Sequence, residues 1–529
     1  MFARMDGLMM DRPLLIRDIA ERVERLYPDR EVVSRTHSGV ERSSYGEVVR
    51  RARRLASALE RMGIKRGDRV ATFGWNSRRH LELYLAVPSM GAVLHTLNIR
   101  LFEEDVRYIV GHAEDKVIFV DASLADVMPR FDGVEHEVLM PDAEGERDGA
   151  LDYEQLVEDG DEGFEFPDVD ERSAAAMCYT SGTTGRPKGV LYSHRSTVLH
   201  AIGANQVDGL GISRLDSVMP VVPMFHVNAW GLPYIATNSG ARLVMPGPRM
   251  TPGDLAELIA SEKVTFTAGV PTIWQGMMRL DPAPDLSCLK EIVCGGSAVP
   301  EALIRGFEEK FGVPNVQAWG MTETSPLASV SRPGPDGADG SDDEDERYRL
   351  RATQGRVVPL VDFAIDEEAG GELLVRGPWV ASAYYEDDSQ TEKFEGGWLR
   401  TGDVAQLVDG GFIKLVDRTK DLVKSGGEWI SSVELENVVM GHPKVMEAAV
   451  VAVPDDEWGE RPCACGVPCE GEELDADELR SYLAERVAKW WIPERIEFID
   501  ELPKTSVGKF DKKVLRKRLA EEAGETASS

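Results

Sequence analysis

The chain has 529 residues, 42% of them hydrophobic, and 92 acidic against 60 basic side chains leave a formal charge of −32. That length exceeds one ordinary core, so two or more domains are expected, and the acidic excess excludes nonspecific nucleic-acid binding, which needs a basic surface. No apolar run reaches bilayer-spanning length and the first residues lack the order of a signal peptide, so a cytoplasmic protein is expected, with acid spread along the chain as an adaptation to high salt.

Residues 1–45 are an arginine-rich opening with a helical stretch over 14–26. Residues 45–62 carry apolar side chains at helical spacing (Val48, Val49, Leu55, Leu59) and stop at Gly63. A strand is expected over 70–73, a helix over 80–88, a strand near Ala92, another helix, and a strand over 116–121. Such alternation predicts a layered α/β sheet. The acidic stretch 142–171 reads as loop and leads to a short apolar strand over 174–178.

The next stretch, YTSGTTGRPKGV, holds five hydroxylated residues (Tyr179, Thr180, Ser181, Thr183, Thr184), three glycines (Gly182, Gly185, Gly189) and Lys188. A strand feeding such a loop suits polyphosphate: glycines admit close backbone approach, N–H groups and hydroxyls donate, and the lysine neutralises charge. It is not the common P-loop, because Lys188 precedes Gly189 rather than Ser or Thr. A helix follows over 196–204.

Alternation resumes with strands at 217–222, 242–245, 264–268 and 289–294 and helices at 252–262 and 301–311. Residues 331–347 are Pro/Gly-rich and then acidic, and read as an exposed, mobile loop. From Leu373 the pattern changes to short strands and glycine turns. A charged link, Asp417-Arg418-Thr419-Lys420-Asp421, precedes a compact α+β region of about a hundred residues. Cys463, Cys465 and Cys469 lack the paired CxxC spacing of a zinc site and read as small buried residues on a core strand.

Five motifs then stand in one order: YTSGTTGRPKGV, WGMTETSP, GWLRTGD, DRTKDLVKSGG and PKTSVGK. Together they resemble the acyl-adenylate-forming (AMP-binding) superfamily of acyl-CoA synthetases, luciferases and peptide-synthetase adenylation domains. VPMFHVNAWGLPY and KSGGEWISSVELEN are most similar to prokaryotic long- and medium-chain fatty acyl-CoA synthetases. The resemblance implies a large N-terminal domain of layered α/β sheets with a small β-barrel-like region (1–416), a hinge (417–421) and a smaller mobile α+β C-terminal domain (422–529). It also implies ATP, Mg²⁺ and coenzyme A as co-substrates and cofactors, and a homodimer.

The roles it implies fall on single residues. Thr180, Ser181, Gly182, Thr183, Thr184, Gly185 and Lys188 would hold the β- and γ-phosphates. Glu323 with Thr180 would hold Mg²⁺, Thr322 would touch the α-phosphate, Trp319 would stack on adenine and Asp403 would accept the ribose hydroxyls. Gly296, Ser297, Gln317, Ala318, Gly320, Arg418, Lys420, Lys424 and Trp429 complete the nucleotide-contacting set, Lys420 doubling as hinge. Lys509 would bridge the attacking carboxylate and the α-phosphate, and rotation would replace it by the segment containing Gly426 and Gly427, past which pantetheine enters. His226, Val227, Trp230 and Gly295 would line the acyl pocket, with Trp230 as its gate. The implied reaction is conversion of a fatty acid to acyl-AMP and then acyl-CoA. A short, branched or thioether acid ligase of the same mechanism, or an enzyme loading a carrier protein, stays open.

Overall fold

The computed structural model describes residues 7–180, 186–334, 343–425, 428–455, 457–469, 471–504 and 510–526. Among them the strands form four sheets. A seven-stranded sheet runs Leu151–Asp152, His136–Met140, Asp115–Asp121, Arg69–Phe73, Val93–Thr96, Ala174–Tyr179, Gly189–Ser193, parallel except for the last pair. A nine-stranded sheet runs Arg356–Val357, Leu327–Val330, Asn315–Gly320, Glu291–Cys294, Phe266–Gly269, Ser217–Pro220, Arg242–Met245, Glu31–Arg35, Val40–Ser44, parallel at its centre.

These strands are apolar on both faces because helices cover both faces, and the period of two divides each strand between two cores. Val70, Val117 and Ala176 face a central core, whereas Ala71, Ile118 and Met177 face an outer one. In the second sheet Val218 and Leu243 face the centre and Met219 and Val244 the other outer side. The central layer holds the helices Ile16–Leu26, Tyr45–Arg61 and Arg78–Ser89, whose apolar residues recur at helical spacing. Ser44 and Ser77 start the last two by accepting N–H bonds from Glu47 and His80.

The small β region is a four-stranded antiparallel sheet, Asp362–Asp366, Glu372–Arg376, Leu399–Val408, Phe412–Arg418, whose Leu373, Leu399 and Ile413 join the central core. Beyond it a five-stranded sheet is packed by the helices Ser432–Met440, Ala476–Ala484 and Lys512–Thr526. Cys463 and Cys465 sit on one face of its strand Gly459–Pro468 and are buried in its core; Cys469 lies just past the strand end, half-buried. Bonds that tie this lobe to the preceding residues include those from Ser431 Oγ to the Val416 carbonyl, from the Ser432 N–H to Asp417 Oδ2 at 2.5 Å, and from Arg516 to the Lys420 carbonyl at 3.4 Å and the Asp421 carboxylate.

Three stretches differ from the sequence expectation. The opening 45 residues contain the hairpin of Glu31–Arg35 and Val40–Ser44, which completes the nine-stranded sheet. The 142–171 stretch contains the helix Tyr153–Glu158, started by Asp152 and anchored by the buried Tyr153 ring. Within 331–347, residues 335–342 lie outside the described residues, but the helix Glu344–Arg351 begins inside the supposed loop. Its acidic first turn suits the helix dipole, and the buried Tyr348 ring lies under the Arg305 and Arg351 guanidiniums.

Candidate active site

A cavity of about 870 Å³ opens beyond the carboxyl ends of the central parallel strands, the place where open α/β sheets receive ligands. It gathers Thr180, Lys188, His226, Val227, Trp230, Gly296, Ala318, Trp319, Gly320, Thr322, Glu323, Arg418 and Lys420. Asp403 stands directly behind. Its carboxylate, 2% exposed, accepts the Trp319 indole N–H at 3.1 Å and pairs with Arg418 Nε at 2.6 Å. That carboxylate raises the Arg418 pKa above its ordinary value.

The cavity has two chemically distinct ends. At the polar end Tyr384 donates to Glu323 Oε1 at 2.6 Å, and Lys188 Nζ bonds Asp387 Oδ2 at 2.8 Å while lying 5.1 Å from the Tyr384 ring centre. Lys188 holds the Asp387 carboxyl down at about 2, and burial followed by the Glu323 charge pushes the Tyr384 phenol up. Lys393 reaches the same phenol oxygen at 3.3 Å. At the apolar end the wall consists of Val221, Val222, Val270, Ile273 and Met250.

A left-handed turn supplies Val227 and Trp230 to the same lining. Val227, Asn228, Ala229 and Trp230 have φ of 46°, 50°, 49° and 57°, followed by Gly231 at 76°. This conformation costs L-residues, a β-branched valine most of all, so the surroundings must impose it. Asn228 supplies a fixing point: its side-chain oxygen accepts from the Tyr84 hydroxyl at 3.3 Å beside Cys178. The turn lays the Trp230 ring against Gly295 and Gly296. A Cβ on Gly295 would stand 3.1 Å from that ring and closer still to the Ala318 carbonyl, so only glycine fits.

Other expected residues lie elsewhere. Gln317 is buried in its strand, and Ser297 is exposed beside Gly296. Lys424 and Trp429 face each other across the hairpin Val423–Ser425/Glu428–Ile430, 5.4 Å from ammonium to ring centre, outside the cavity lining. Ser181, Gly182, Thr183, Thr184, Gly185, Gly426, Gly427 and Lys509 lie outside the described residues. Sequence reasoning passes over Tyr384, Asp387 and Lys393, which stand in the run YYEDDSQTEK. Its only signal is two aromatics followed by dense mixed charge, which also describes an ordinary solvated turn.

Residues 20–385 match the model of the AMP-binding enzyme family, and residues 434–509 that of the AMP-binding enzyme C-terminal domain. A 3-methylmercaptopropionyl-CoA ligase of Ruegeria lacuscaerulensis is 44% identical, covering 96% of this chain and 98% of that one. A long-chain-fatty-acid–CoA ligase of Thermus thermophilus is 46% identical, covering 96% of each. Among solved structures, the anthranilate CoA ligase AuaEII in complex with anthranoyl-AMP superposes with a TM-score of 0.87 at 25% identity, over 97% of this chain and 99% of that chain. With its large lobe and its small lobe each matched, the chain belongs to the AMP-binding enzyme family.

Proposed function

We propose that the protein activates a fatty acid with ATP and passes the acyl group to coenzyme A. The observation that carries this reading is one cavity joining a charged end, fit for a nucleotide, to an apolar end, fit for an acyl chain. In the first step a carboxylate oxygen attacks the α-phosphorus of ATP, the bond to the β-phosphate oxygen breaks, and pyrophosphate leaves. Two anions meet, so positioning and charge neutralisation supply most of the catalysis. Lys188 is placed to neutralise phosphate once Asp387 yields it, Thr322 to donate to the α-phosphate, Trp319 to stack on adenine, and the Asp403–Arg418 pair to receive the ribose. In the second step the coenzyme A sulfur attacks the acyl carbon, the acyl–phosphate C–O bond breaks, and AMP leaves.

Glu323 and Thr180 present hard oxygens to the cavity, the donor set that Mg²⁺ takes alongside substrate phosphates and water. The ion would supply charge neutralisation there. The Thr180 side-chain oxygen already accepts the Lys188 N–H at 3.2 Å, which orients it.

We assign Lys509 the bridge between attacking carboxylate and α-phosphate, with the division 1–416, 417–421 and 422–529. The flanks of that lysine support this. Lys504 and Phe510 form a bridge pair, and Asp511 acts electrostatically on the cavity-lining Lys420, whose pKa burial lowers. In the second step the lobe would rotate about Lys420, breaking the Ser431–Val416 and Ser432–Asp417 bonds and presenting the hairpin of Lys424 and Trp429. A homodimer in a salt-rich cytoplasm completes the proposal, on chain charge and family likeness.

The thioether acid named for the Ruegeria relative keeps a second acid class in play, with the same chemistry. The test is ATP- and CoA-dependent AMP release over short- to long-chain, aromatic and thioether acids in high salt. Lys509→Ala is expected to abolish pyrophosphate exchange while thioester formation from supplied acyl-AMP survives. Equal loss of both steps would remove the assignment of Lys509, and no AMP with any acid would remove the function.

A further inference from the structure

One residue of the cavity's apolar end, Met250, sits on the loop between the strand Arg242–Met245 and the helix Pro252–Glu262. Arg35, at the end of the strand Glu31–Arg35, is 5% exposed. Its guanidinium donates to two carbonyls of the loop, Pro246 at 3.2 Å and Arg249 at 2.5 Å, and to the Asp254 carbonyl at 2.7 Å in the first turn of the helix Pro252–Glu262 that follows. Burial lowers its pKa. Burying a cation is costly, and the three backbone bonds it makes tie the end of the strand Glu31–Arg35 to a segment about two hundred residues later. Two further contacts fix the same loop. Gly247 adopts φ +61°, where a Cβ would overlap the Arg35 carbonyl oxygen, and its N–H donates to the Asn76 carbonyl at 3.2 Å.

Met250 is the loop residue that lines the cavity. With Ile273 it packs on the outer core of the nine-stranded sheet, whereas Trp230 and Trp319 belong to the central core. The cavity therefore crosses the carboxyl edge of that sheet, and Met250 stands at the end away from the nucleotide residues. The segment that carries Val221 and Val222 is tied through the same Asn76. Asn76, 3% exposed, donates to the Pro220 and Val222 carbonyls at 2.8 and 2.9 Å and accepts the Met224 N–H at 2.6 Å.

We propose that Met250, on a loop pinned by Arg35, is the end-stop that sets the length of acyl chain accepted, with Arg35 as its positioning residue. This rests on the acyl-activating reading above. A stop discriminates only if it cannot retreat, because a yielding wall lets one more methylene in at small cost. Arg35 supplies that rigidity without touching the substrate.

The test is the kcat/KM profile of the full-length protein over saturated straight-chain acids from four to sixteen carbons. Loss of Cγ, Sδ and Cε in Met250→Ala opens room for about two methylenes, so the optimum moves to longer acids. Met250→Trp moves it to shorter ones. The ratio of rates for the two flanking acids changes at least about tenfold in each case. Arg35→Met broadens the profile, and Arg35→Lys, which keeps a cation for the carbonyls, restores part of its sharpness. Thermal unfolding of each variant separates misfolding from a changed profile, and Met250→Leu serves where alanine unfolds. An active wild type whose variants fold and keep its optimum overturns the end-stop alone. A wild type that releases AMP with no acid overturns the acyl-activating reading, and the end-stop with it.

Discussion

The Tyr384 hydroxyl donates to Glu323 Oε1 at 2.6 Å across 61 positions of sequence, in a corner where Glu323 is only 5% exposed. The bond fixes which carboxylate oxygen faces the phenol and which faces the cavity. Tyr384→Phe keeps the ring and removes the donor, leaving that oxygen buried without its partner. The expected result is a loss of about 1–3 kcal/mol in transition-state stabilisation and a higher Mg²⁺ requirement, read by pyrophosphate exchange over a Mg²⁺ titration. An unchanged Mg²⁺ curve would detach Tyr384 from the site.

Lys188 is paired with Asp387, so on the proposed reading a phosphate would have to displace that carboxylate to reach it. Asp387→Asn removes that competitor and is expected to lower the KM for ATP about two- to fivefold, the worth of a partly exposed pair. Lys188→Ala is expected to raise it. A higher KM in Asp387→Asn would mean that Asp387 itself serves the nucleotide.

The Asp403 carboxylate is committed on both oxygens, to Trp319 and to Arg418. Asp403→Ala leaves the Arg418 cation without its main partner, and about 2–4 kcal/mol is expected to disappear from kcat/KM for ATP. Asp403→Asn is expected to lose less, since one oxygen still accepts the indole N–H. Equal losses in the two variants would argue that the charge, not the hydrogen bond, carries the effect.

Three buried histidines predict acid sensitivity. Burial brings His80 and His194 down to about 4 and His200 to about 3, from 6.5. The unfolded chain takes up these protons below pH 6.5 while the folded chain refuses them, so stability present above pH 6.5 is lost as pH falls towards 4. Each group contributes a slope of up to about 1.4 kcal/mol per pH unit. The His200 Nε2 accepts the Leu327 N–H at 3.2 Å, and His200→Gln keeps an acceptor there without a titrating group. Denaturant midpoints between pH 7 and 4.5 are expected to fall less steeply in that variant; parallel curves would refute the assignment to His200.

Much of the site is legible in the amino-acid sequence alone. Trp319, Thr322, Glu323, Lys188, His226 and Trp230 carry unusual residue types at motif spacing, and the cavity brings all six together. Tyr384 and Asp387 escape such reasoning because their partners lie 61 and 199 positions away, and Lys393 because it reaches the cavity through Tyr384. The opening hairpin escapes it for a similar reason. Val40–Ser44 is short and largely polar, and its pairing partner Glu31–Arg35 is completed by a strand two hundred residues later. Arg35 reads as one more arginine among many; its three carbonyl partners exist only once that distant strand lies beside it.

Features that depend on neighbours along the chain can be read from residue order. Alternation at a period of two gave each central strand two apolar faces, helical spacing gave the buried layer its stripes, and glycines and hydroxyls marked a candidate phosphate loop. Which acid meets which cation, how a left-handed turn lays Trp230 against Gly295, and that Met250 joins the cavity lining emerge only on folding. Backbone preferences act over a few residues. Side-chain pairing and cavity shape are instead set by crossover connections between sheets, and these juxtapose residues without regard to their separation in the chain.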